Sequence, residues 1–233
     1  MPQDLHERLE GIIQKTEPGG RLPSEPKLAA HLGVSRATLR EAMRTFETQG
    51  MLRRRQGVGT FVTHPNYIIE SGLEVLESIE TLAERVNLPV SLGQLVVETQ
   101  GAGKELAGIL EVESDRELLK VSRVIHAENH PIAYLVDILP KEYLSTADLN
   151  EKFTGSVLDL LLSRGNPGLG FSKCEISAVA VNQEVARVLN IQRGDSLLCF
   201  KAILFAEDGT PIDYSLSYFL PGYFKFHVVR KVG

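Results

Sequence analysis

The chain has 233 residues, of which 43% are hydrophobic and 24% charged, with two cysteines and a net charge of −5 at pH 7. This composition suits one large soluble domain or two small ones, and it lacks the run of about 18 apolar residues that spans a bilayer. The polar start MPQDLHERLE has no signal-peptide pattern, so we expect a cytoplasmic protein with no membrane partner. Cys174 and Cys199 form no CxxC pair, which argues against a disulfide framework.

The charge is divided unevenly along the chain. Residues 1–64 contain ten Lys or Arg and seven Asp or Glu, a net charge of +3, so the remaining residues carry −8. Within residues 36–55, six arginines stand against two acids. A basic segment joined to an acidic one indicates a nucleic-acid partner for the basic segment, which the net charge of the whole chain conceals.

Residues 24–50 have the pattern of two short helices. Ser24 is a predicted N-cap, and Gly33 is predicted to end the first helix after an apolar repeat at helical spacing. The second helix is predicted from a cap, a core stripe and a terminating glycine: Ser35, then Leu39, Ala42, Met43 and Phe46, then Gly50. Two short helices joined by a tight glycine turn are typical of a helix-turn-helix.

The second helix carries a basic row. Arg36, Arg40 and Arg44 are spaced four residues apart, which places them along one side of the helix. Such a row can contact phosphates and guanine edges, although a solvated basic face paired with Glu41 is the alternative. The next segment, MLRRRQGVGTFV, has the pattern of a basic β-hairpin with a glycine turn. A basic hairpin beside a basic helix is typical of a DNA-binding winged helix.

The motifs LPSE, GVSRATLRE and QGVGTFV resemble, in order and spacing, the winged helix-turn-helix domain of GntR-family bacterial transcription regulators over residues 5–64. The resemblance implies a homodimer that binds a roughly palindromic operator. Pro26 departs from the family pattern, in which some members carry a DNA-contacting arginine, and Lys27 is the candidate substitute. The predicted DNA contacts are Lys27, Ser35, Arg36, Thr38, Arg40, Arg54, Gln56 and Gly57.

The rest of the chain is predicted to be a linker followed by an α+β domain. The linker is expected to carry a helix, because apolar residues recur at helix-like intervals: Ile69, Leu73, Leu76, Ile79 and Leu82. Beyond it, seven strand-like runs alternate with short helices near residues 103–110, 145–151, 156–164 and 183–189, which favours an antiparallel sheet. The expected division is a DNA-binding domain at 1–64, a linker at 65–87 and an effector-binding and dimerisation domain at 88–233.

An internal repeat lies in this C-terminal part. KELAGILEVESDRELLKVSRVIHAENHPIAY and QEVARVLNIQRGDSLLCFKAILFAEDGTPIDY align at an offset of 79 residues, which rises to 80 after one insertion. Their matched AE[N/D] turn and PIxY run favour duplication over a chance sharing of common residues. Two related hairpins are expected to form one sheet with a pseudo-twofold relation, and a cleft between the repeats is a natural ligand site.

The segments VSRVIHAENHPIAYLVDILP and DGTPIDYSLSYF resemble the UTRA effector domain of HutC-type GntR regulators, whose fold is similar to that of chorismate lyase. The resemblance covers about residues 88–230 and implies a repressor whose operator binding is modulated by a small metabolite. By family pattern, Arg123 binds an anion, Asp213 replaces a hydroxyl-binding glutamate, and Ser156 is a site serine. Residues 89–91, which include Ser91, match a loop whose main-chain amides can hold a phosphate.

Three positions depart from the family pattern and make the predicted pocket less polar. Ile125, Leu135 and Phe219 replace an arginine, an acid and an aromatic hydroxyl. Strand alternation places these three on shared faces with Arg123, Asp137, Asp213, Ser215 and Ser217. We therefore expect an effector with one anionic group, held by Arg123, and a more apolar body. The alternatives are that Arg123 only forms an ion pair, that Asp213 faces solvent, and that Ser156 only caps a helix.

The sequence contains little that indicates catalysis, metal binding or cofactor binding. The chain has no GxSxG motif and no Walker-type loop, and His126 and His130 flank a predicted turn without a third ligand nearby. We expect no cofactor, no metal and no enzymatic activity. A DNA-binding regulator without ligand control and a lyase-like enzyme remain the alternatives, the latter resting on fold analogy alone.

Overall fold

The computed structural model of the protein describes residues 2–17, 20–48, 50–55, 57–62, 68–127, 129–150, 153–191 and 193–232. The helices are α1 (Pro2–Gln14), α2 (Glu25–Leu32), α3 (Arg36–Thr48), α4 (Ile79–Arg85), α5 (Gly103–Leu110), α6 (Val157–Arg164) and α7 (Gln183–Val188). The strands are β1 (Leu52–Arg55), β2 (Gly59–Val62), β3 (Ile69–Gly72), β4 (Val90–Gly101), β5 (Glu117–Ala127), β6 (His130–Pro140), β7 (Leu169–Ala180), β8 (Ser196–Ala206), β9 (Pro211–Phe219) and β10 (Phe224–His227). The chain forms two compact units, Met1–Ile68 with Leu220–Lys225 and Ile69–Phe219 with Phe226–Gly233.

The N-terminal unit contains the predicted helix-turn-helix. Gly33 ends α2 with φ of +68°, a left-handed conformation that glycine adopts without steric cost. The hydroxyl of Ser35 accepts a hydrogen bond from the Thr38 amide at 3.1 Å, which confirms the predicted cap of α3. Ser24 lies at the N-cap position of α2, as predicted, although its side chain makes no capping hydrogen bond.

A hairpin and three helices share the core of this unit. β1 and β2 are antiparallel, with Leu52 opposite Val62 and Arg55 opposite Gly59, which confirms the predicted hairpin. The core contains the stripe predicted for α3 together with apolar residues of the other elements: Leu9, Ile13, Leu22, Leu28, Ala29, Leu32, Leu39, Ala42, Met43, Phe46, Leu52 and Val62.

The segment that precedes the large sheet holds a strand and a shorter helix than expected. Ile69 is fully buried in β3, which pairs with β10, while α4 covers only Ile79–Arg85. Leu73 and Leu76 are 38% and 51% exposed and belong to neither element. The prediction of a helical stripe that starts at Ile69 is therefore wrong in its first half, because pairing with a distant strand overrides the local pattern.

The C-terminal unit is a six-stranded antiparallel sheet in the order β4-β5-β6-β9-β8-β7. The predicted repeat covers α5-β5-β6 and α7-β8-β9. In the structure each copy is also preceded by a strand, β4 or β7, so the two halves of the sheet have the same order of elements. Val136 of β6 pairs with Leu216 of β9. These two residues are also equivalent in the repeat at the offset of 80, so the pseudo-twofold axis passes through this pair.

Helix α6 lies between the two copies in the chain and packs on one face of the sheet. Val157 and Leu161 of α6 pack with Leu119, Val121 and Leu139 of the sheet in one apolar cluster. The helix predicted near residues 145–151 is a single 3-10 turn at Thr146–Asp148. In the described parts of the chain, no helix is both long enough and apolar enough to cross a membrane.

Candidate DNA interface and effector site

The side of α3 opposite the core is polar and exposed. Because Leu39 and Met43 point into the core, residues near the start of α3 on the other side reach solvent. Gly57, with φ of +74°, lies in the turn between β1 and β2, whereas Gln56 lies outside the described residues. The predicted contacts that the structure describes are all exposed: Lys27, Ser35, Arg36, Thr38, Arg40, Arg54 and Gly57.

Glu25, the first residue of α2, connects α3 with β1. Its Oε2 accepts a hydrogen bond from Nε of Arg40 at 2.7 Å, and its Oε1 accepts one from Nη2 of Arg54. Burial alone would raise the pKa of Glu25, but the Arg40 hydrogen bond and the charges of Arg54, Arg40 and Arg36 lower it overall. The carboxylate is therefore charged at neutral pH and fixes two arginines relative to each other. Sequence reasoning missed Glu25, although it is the acid of the LPSE motif.

The residues predicted to line an effector site lie on one face of the large sheet. Arg123 pairs with Leu135, and Leu135 pairs with Ser217. Directly opposed residues of adjacent antiparallel strands point to the same face, and alternate residues along each strand share it. The shared face that alternation predicted is confirmed for Arg123, Ile125, Leu135, Asp137, Asp213, Ser215, Ser217 and Phe219.

Ser91 lies on the other face. It pairs with His126, whereas its neighbour Leu92 pairs with Ile125. Its side chain is exposed and points away from the face that carries Arg123. The structure therefore does not bring the Ser91 side chain to the other candidate residues, and the role of the main-chain amides of residues 89–91 stays a prediction.

Arg123 is the central charge of the candidate effector site. It is 5% exposed, its Nη1 donates a hydrogen bond to Asp137 Oδ2, and its Nε donates one to the Gly155 carbonyl. These bonds use two of the five N–H donors of the guanidinium. The ion pair considered from the sequence is thus present, and anion binding by Arg123 stays a prediction.

Asp213 is buried beside this ion pair. Its Oδ1 accepts a hydrogen bond from the Ile138 amide at 3.1 Å. Burial, the charge of Asp137 and a hydrogen bond with the same group raise the pKa of Asp213 well above its usual range. These surroundings favour the protonated form of Asp213, which can donate to Asp137. The alternative that Asp213 faces solvent is wrong, since it is only 5% exposed.

Ser156 caps α6 and lies next to Gly155. Its Oγ accepts a hydrogen bond from the Asp159 amide at 2.9 Å, and the residue is buried. Ser78, which caps α4, donates a hydrogen bond from its Oγ to Asp159 Oδ2 at 2.6 Å. The first turns of α4 and α6 are therefore held together by a buried serine and a carboxylate.

Glu80 of α4 is a member of this site that sequence reasoning missed. Its Oε1 is inaccessible to solvent, and a Cβ placed on Gly155 would lie 2.7 Å from that oxygen. Burial raises the pKa of Glu80; a hydrogen bond from its own backbone amide and the charge of Arg123 oppose the increase, while Asp159 and Asp137 add to it. The contact joins residues 75 positions apart, so helical periodicity contained no signal for it.

The charged site belongs to one copy of the repeat. In the alignment, the equivalents of Arg123 and Asp137 are Ala202 and Ser217. The sheet is therefore pseudo-symmetric in topology but asymmetric in chemistry. Among the described residues, no group of three or more His, Cys, Asp or Glu is arranged to hold a metal ion.

Comparison with known proteins identifies both units. Residues 3–62 match the family model of bacterial regulatory proteins of the gntR family, and residues 89–225 match that of the UTRA domain. The chain belongs to the GntR family. It is 31% identical over 219 residues to the HTH-type transcriptional repressor NagR of Bacillus subtilis, a match covering 91% of this chain and 87% of NagR. It is 28% identical to the histidine utilization repressor of Pseudomonas putida, over 86% of this chain and 82% of that one.

The same fold occurs in a solved GntR-family structure. PhnF from Mycobacterium smegmatis superposes with a TM-score of 0.67, at 20% identity, over 98% of this chain and 100% of that chain. The two matched families confirm the predicted winged helix-turn-helix and UTRA domains of a HutC-type regulator. The GntR-family chain is a DNA-binding transcription regulator with an effector domain, and this family membership rules out the enzyme alternative.

Proposed function

We propose that this GntR-family chain is a cytoplasmic homodimeric repressor that leaves a roughly palindromic operator when a small anionic metabolite binds its UTRA domain. The observation that carries the proposal is the pair of exposed arginines Arg36 and Arg40 on α3, in the same unit as the β1–β2 hairpin with its exposed Arg54. The relatives named as repressors, NagR and the histidine utilization repressor, support the direction of regulation.

The start of α3 is the part that enters the major groove. Arg36 and Arg40 have the length and donor geometry to read guanine edges, and Ser35 and Thr38 lie beside them at the same end. Gly57 lets the hairpin turn approach the DNA backbone closely, since it has no Cβ. Three residues outside α3 contact the DNA phosphates or the groove next to the hairpin: Lys27, Arg54 and Gln56.

The effector site is the covered face around Arg123 and the first turn of α6. The anionic group of the effector binds at Arg123 and Ser156, and a more apolar body packs on Ile125, Leu135 and Phe219. The other polar groups of this site are Asp137, Asp213 and Ser215, with Ser91 contributing through its main chain only. The 65–87 linker transmits binding to the 1–64 domain by favouring a state in which the two DNA-binding heads no longer match adjacent major grooves.

The test begins with an operator selected from random DNA by the full-length chain. Arg36→Ala is expected to lower operator affinity by about 1–3 kcal/mol, as measured by fluorescence anisotropy at fixed salt. Lys15→Ala, an exposed lysine near the end of α1, is the matched control and should bind like the wild type. Wild-type affinity of Arg36→Ala would contradict the assignment of α3.

The same operator complex tests ligand control. Metabolites of the pathway encoded by neighbouring genes are expected to include one that raises the operator Kd. Operator binding that is insensitive to all of them would favour the alternative of a DNA-binding regulator without ligand control.

A further inference from the structure

Glu80 presents a buried hydrogen-bond acceptor that no other described residue uses. Oε1 of Glu80 is inaccessible to solvent and has no hydrogen-bond partner among the described residues. Burial of a carboxylate oxygen without a donor costs free energy, and such orphan groups in native proteins call for a specific reason. Helix stability does not provide that reason, because Ser78 already caps α4 through the Thr81 amide at 3.0 Å.

The charges around Glu80 favour a positively charged donor over a neutral one. Two carboxylates, Asp159 and Asp137, and one guanidinium, Arg123, act on it. Arg123 is already paired with Asp137, and Asp159 receives its hydrogen bond from the uncharged Ser78. Among the described residues, neither Glu80 nor Asp159 forms an ion pair with a Lys, Arg or His side chain. A cation beside Glu80 would balance this excess of negative charge.

Glu80 Oε1 lies against Gly155, which borders the proposed effector site. A Cβ on Gly155 would lie 2.7 Å from Glu80 Oε1, 3.3 Å from Ile125 Cδ1 and 3.6 Å from Leu92 Cδ1. A side chain at position 155 would therefore collide with Glu80 Oε1, so glycine is what lets this acceptor lie beside Ile125 and Leu92. The carbonyl of the same glycine accepts the hydrogen bond from Arg123. Gly155 therefore adjoins both the guanidinium of Arg123 and the carboxylate of Glu80.

We propose that the effector is a zwitterion, whose anionic group binds at Arg123 and Ser156 and whose protonated nitrogen donates a hydrogen bond to Glu80 Oε1. This inference rests on the proposed effector site and adds the chemical class of the ligand. Because both protein groups adjoin Gly155, the two charges of the effector are separated by only a few bonds. Small amino acids, ω-amino acids and phosphorylated amines are compounds of this class.

The experiment uses the full-length chain and matched pairs of compounds from these three classes. Each amine is paired with analogues in which hydrogen or a hydroxyl replaces the amino group, and Kd values are measured by calorimetry after a thermal-shift screen. We expect the tightest ligand to be an amine and its two analogues to bind at least tenfold more weakly. Glu80→Gln is expected to weaken the amine by a similar factor, whereas Glu84→Gln, an exposed acid on the same helix, should not.

Several results would overturn the zwitterion. They are equal affinity for the amine and its hydrogen analogue, equal affinity for the hydroxyl analogue, binding to Glu80→Gln within twofold of the wild type, or no binding by any amine. The comparison among analogues uses only the wild-type chain, so it holds even where Glu80→Gln fails to fold. An amine-free compound that releases the operator would overturn the zwitterion and leave ligand-controlled repression standing. Operator binding insensitive to every metabolite would instead count against the proposed function itself.

Discussion

Truncation of Arg123 is expected to destabilise the C-terminal unit by about 3–5 kcal/mol, the usual cost of breaking a buried ion pair on one side. The Arg123 side chain is 5% exposed and that of Asp137 is 12% exposed, so Arg123→Ala leaves a carboxylate buried without its counter-charge. The variant also removes the donor to the Gly155 carbonyl. Domains of this size are stable by about 5–15 kcal/mol, so the loss is a large part of the total.

Two matched variants separate the effect of the buried charge from that of the lost side chain. Arg123→Met combined with Asp137→Leu removes both charges and keeps the volume, so we expect it to be far less destabilised than Arg123→Ala. Arg116→Ala breaks a pair with Glu142 at 2.6 Å, in which the two side chains are 48% and 43% exposed. Because solvent screens that pair, its loss should change the free energy of unfolding very little.

The assay is urea unfolding followed by far-ultraviolet circular dichroism, with the transition of the β-rich unit fitted in all four proteins. The expected order of stability is wild type and Arg116→Ala, then the double variant, then Arg123→Ala. An Arg123→Ala protein within about 1 kcal/mol of Arg116→Ala would refute the reasoning. It would mean that the guanidinium is not the counter-charge of a buried carboxylate.

Three further predictions concern individual charges. Arg54→Ala is expected to reduce the slope of log K against log salt by about one if Arg54 meets only phosphate; an unchanged slope in anisotropy titrations would exclude that contact. Burial raises the pKa of Asp213, so the folded state holds a proton that the unfolded state releases, and stability falls as pH rises above about 4. Asp213→Asn should remove that pH dependence from urea midpoints, and an unaltered trend would contradict the protonated acid. Glu25→Gln releases Arg40 and Arg54, so it should lower the ratio of operator to scrambled-DNA affinity several-fold; a constant ratio would show that Glu25 does not position them.

Periodic features of the chain could be predicted from the sequence. The core stripe of α3 follows a helical repeat that only one face can satisfy. The shared face of Arg123, Leu135 and Asp213 follows from the two-residue period of strands and from the duplicated hairpins, which fix the register. In both cases, the local periodicity of the sequence and the packing of the tertiary structure place the same residues on the same face.

Features that depend on distant partners could not be predicted. Ile69 and Leu73 have helical spacing, but β3 pairs with β10 instead, and pairing with a remote strand is invisible to a local pattern. Glu80 contacts the position of Gly155 through tertiary packing alone, and Glu25 reaches Arg54 across 29 positions. Electrostatic partners of this kind are set by the fold, so residue type and spacing did not reveal them.

Reciprocal coupling between operator and effector tests the central claim most directly. The operator Kd is measured with and without saturating effector, and the effector Kd is measured on the free chain and on the operator complex. If one molecule controls repression through the UTRA domain, both affinities fall by the same factor, because linkage requires it. An effector that binds the free chain and the operator complex with equal affinity would contradict the account.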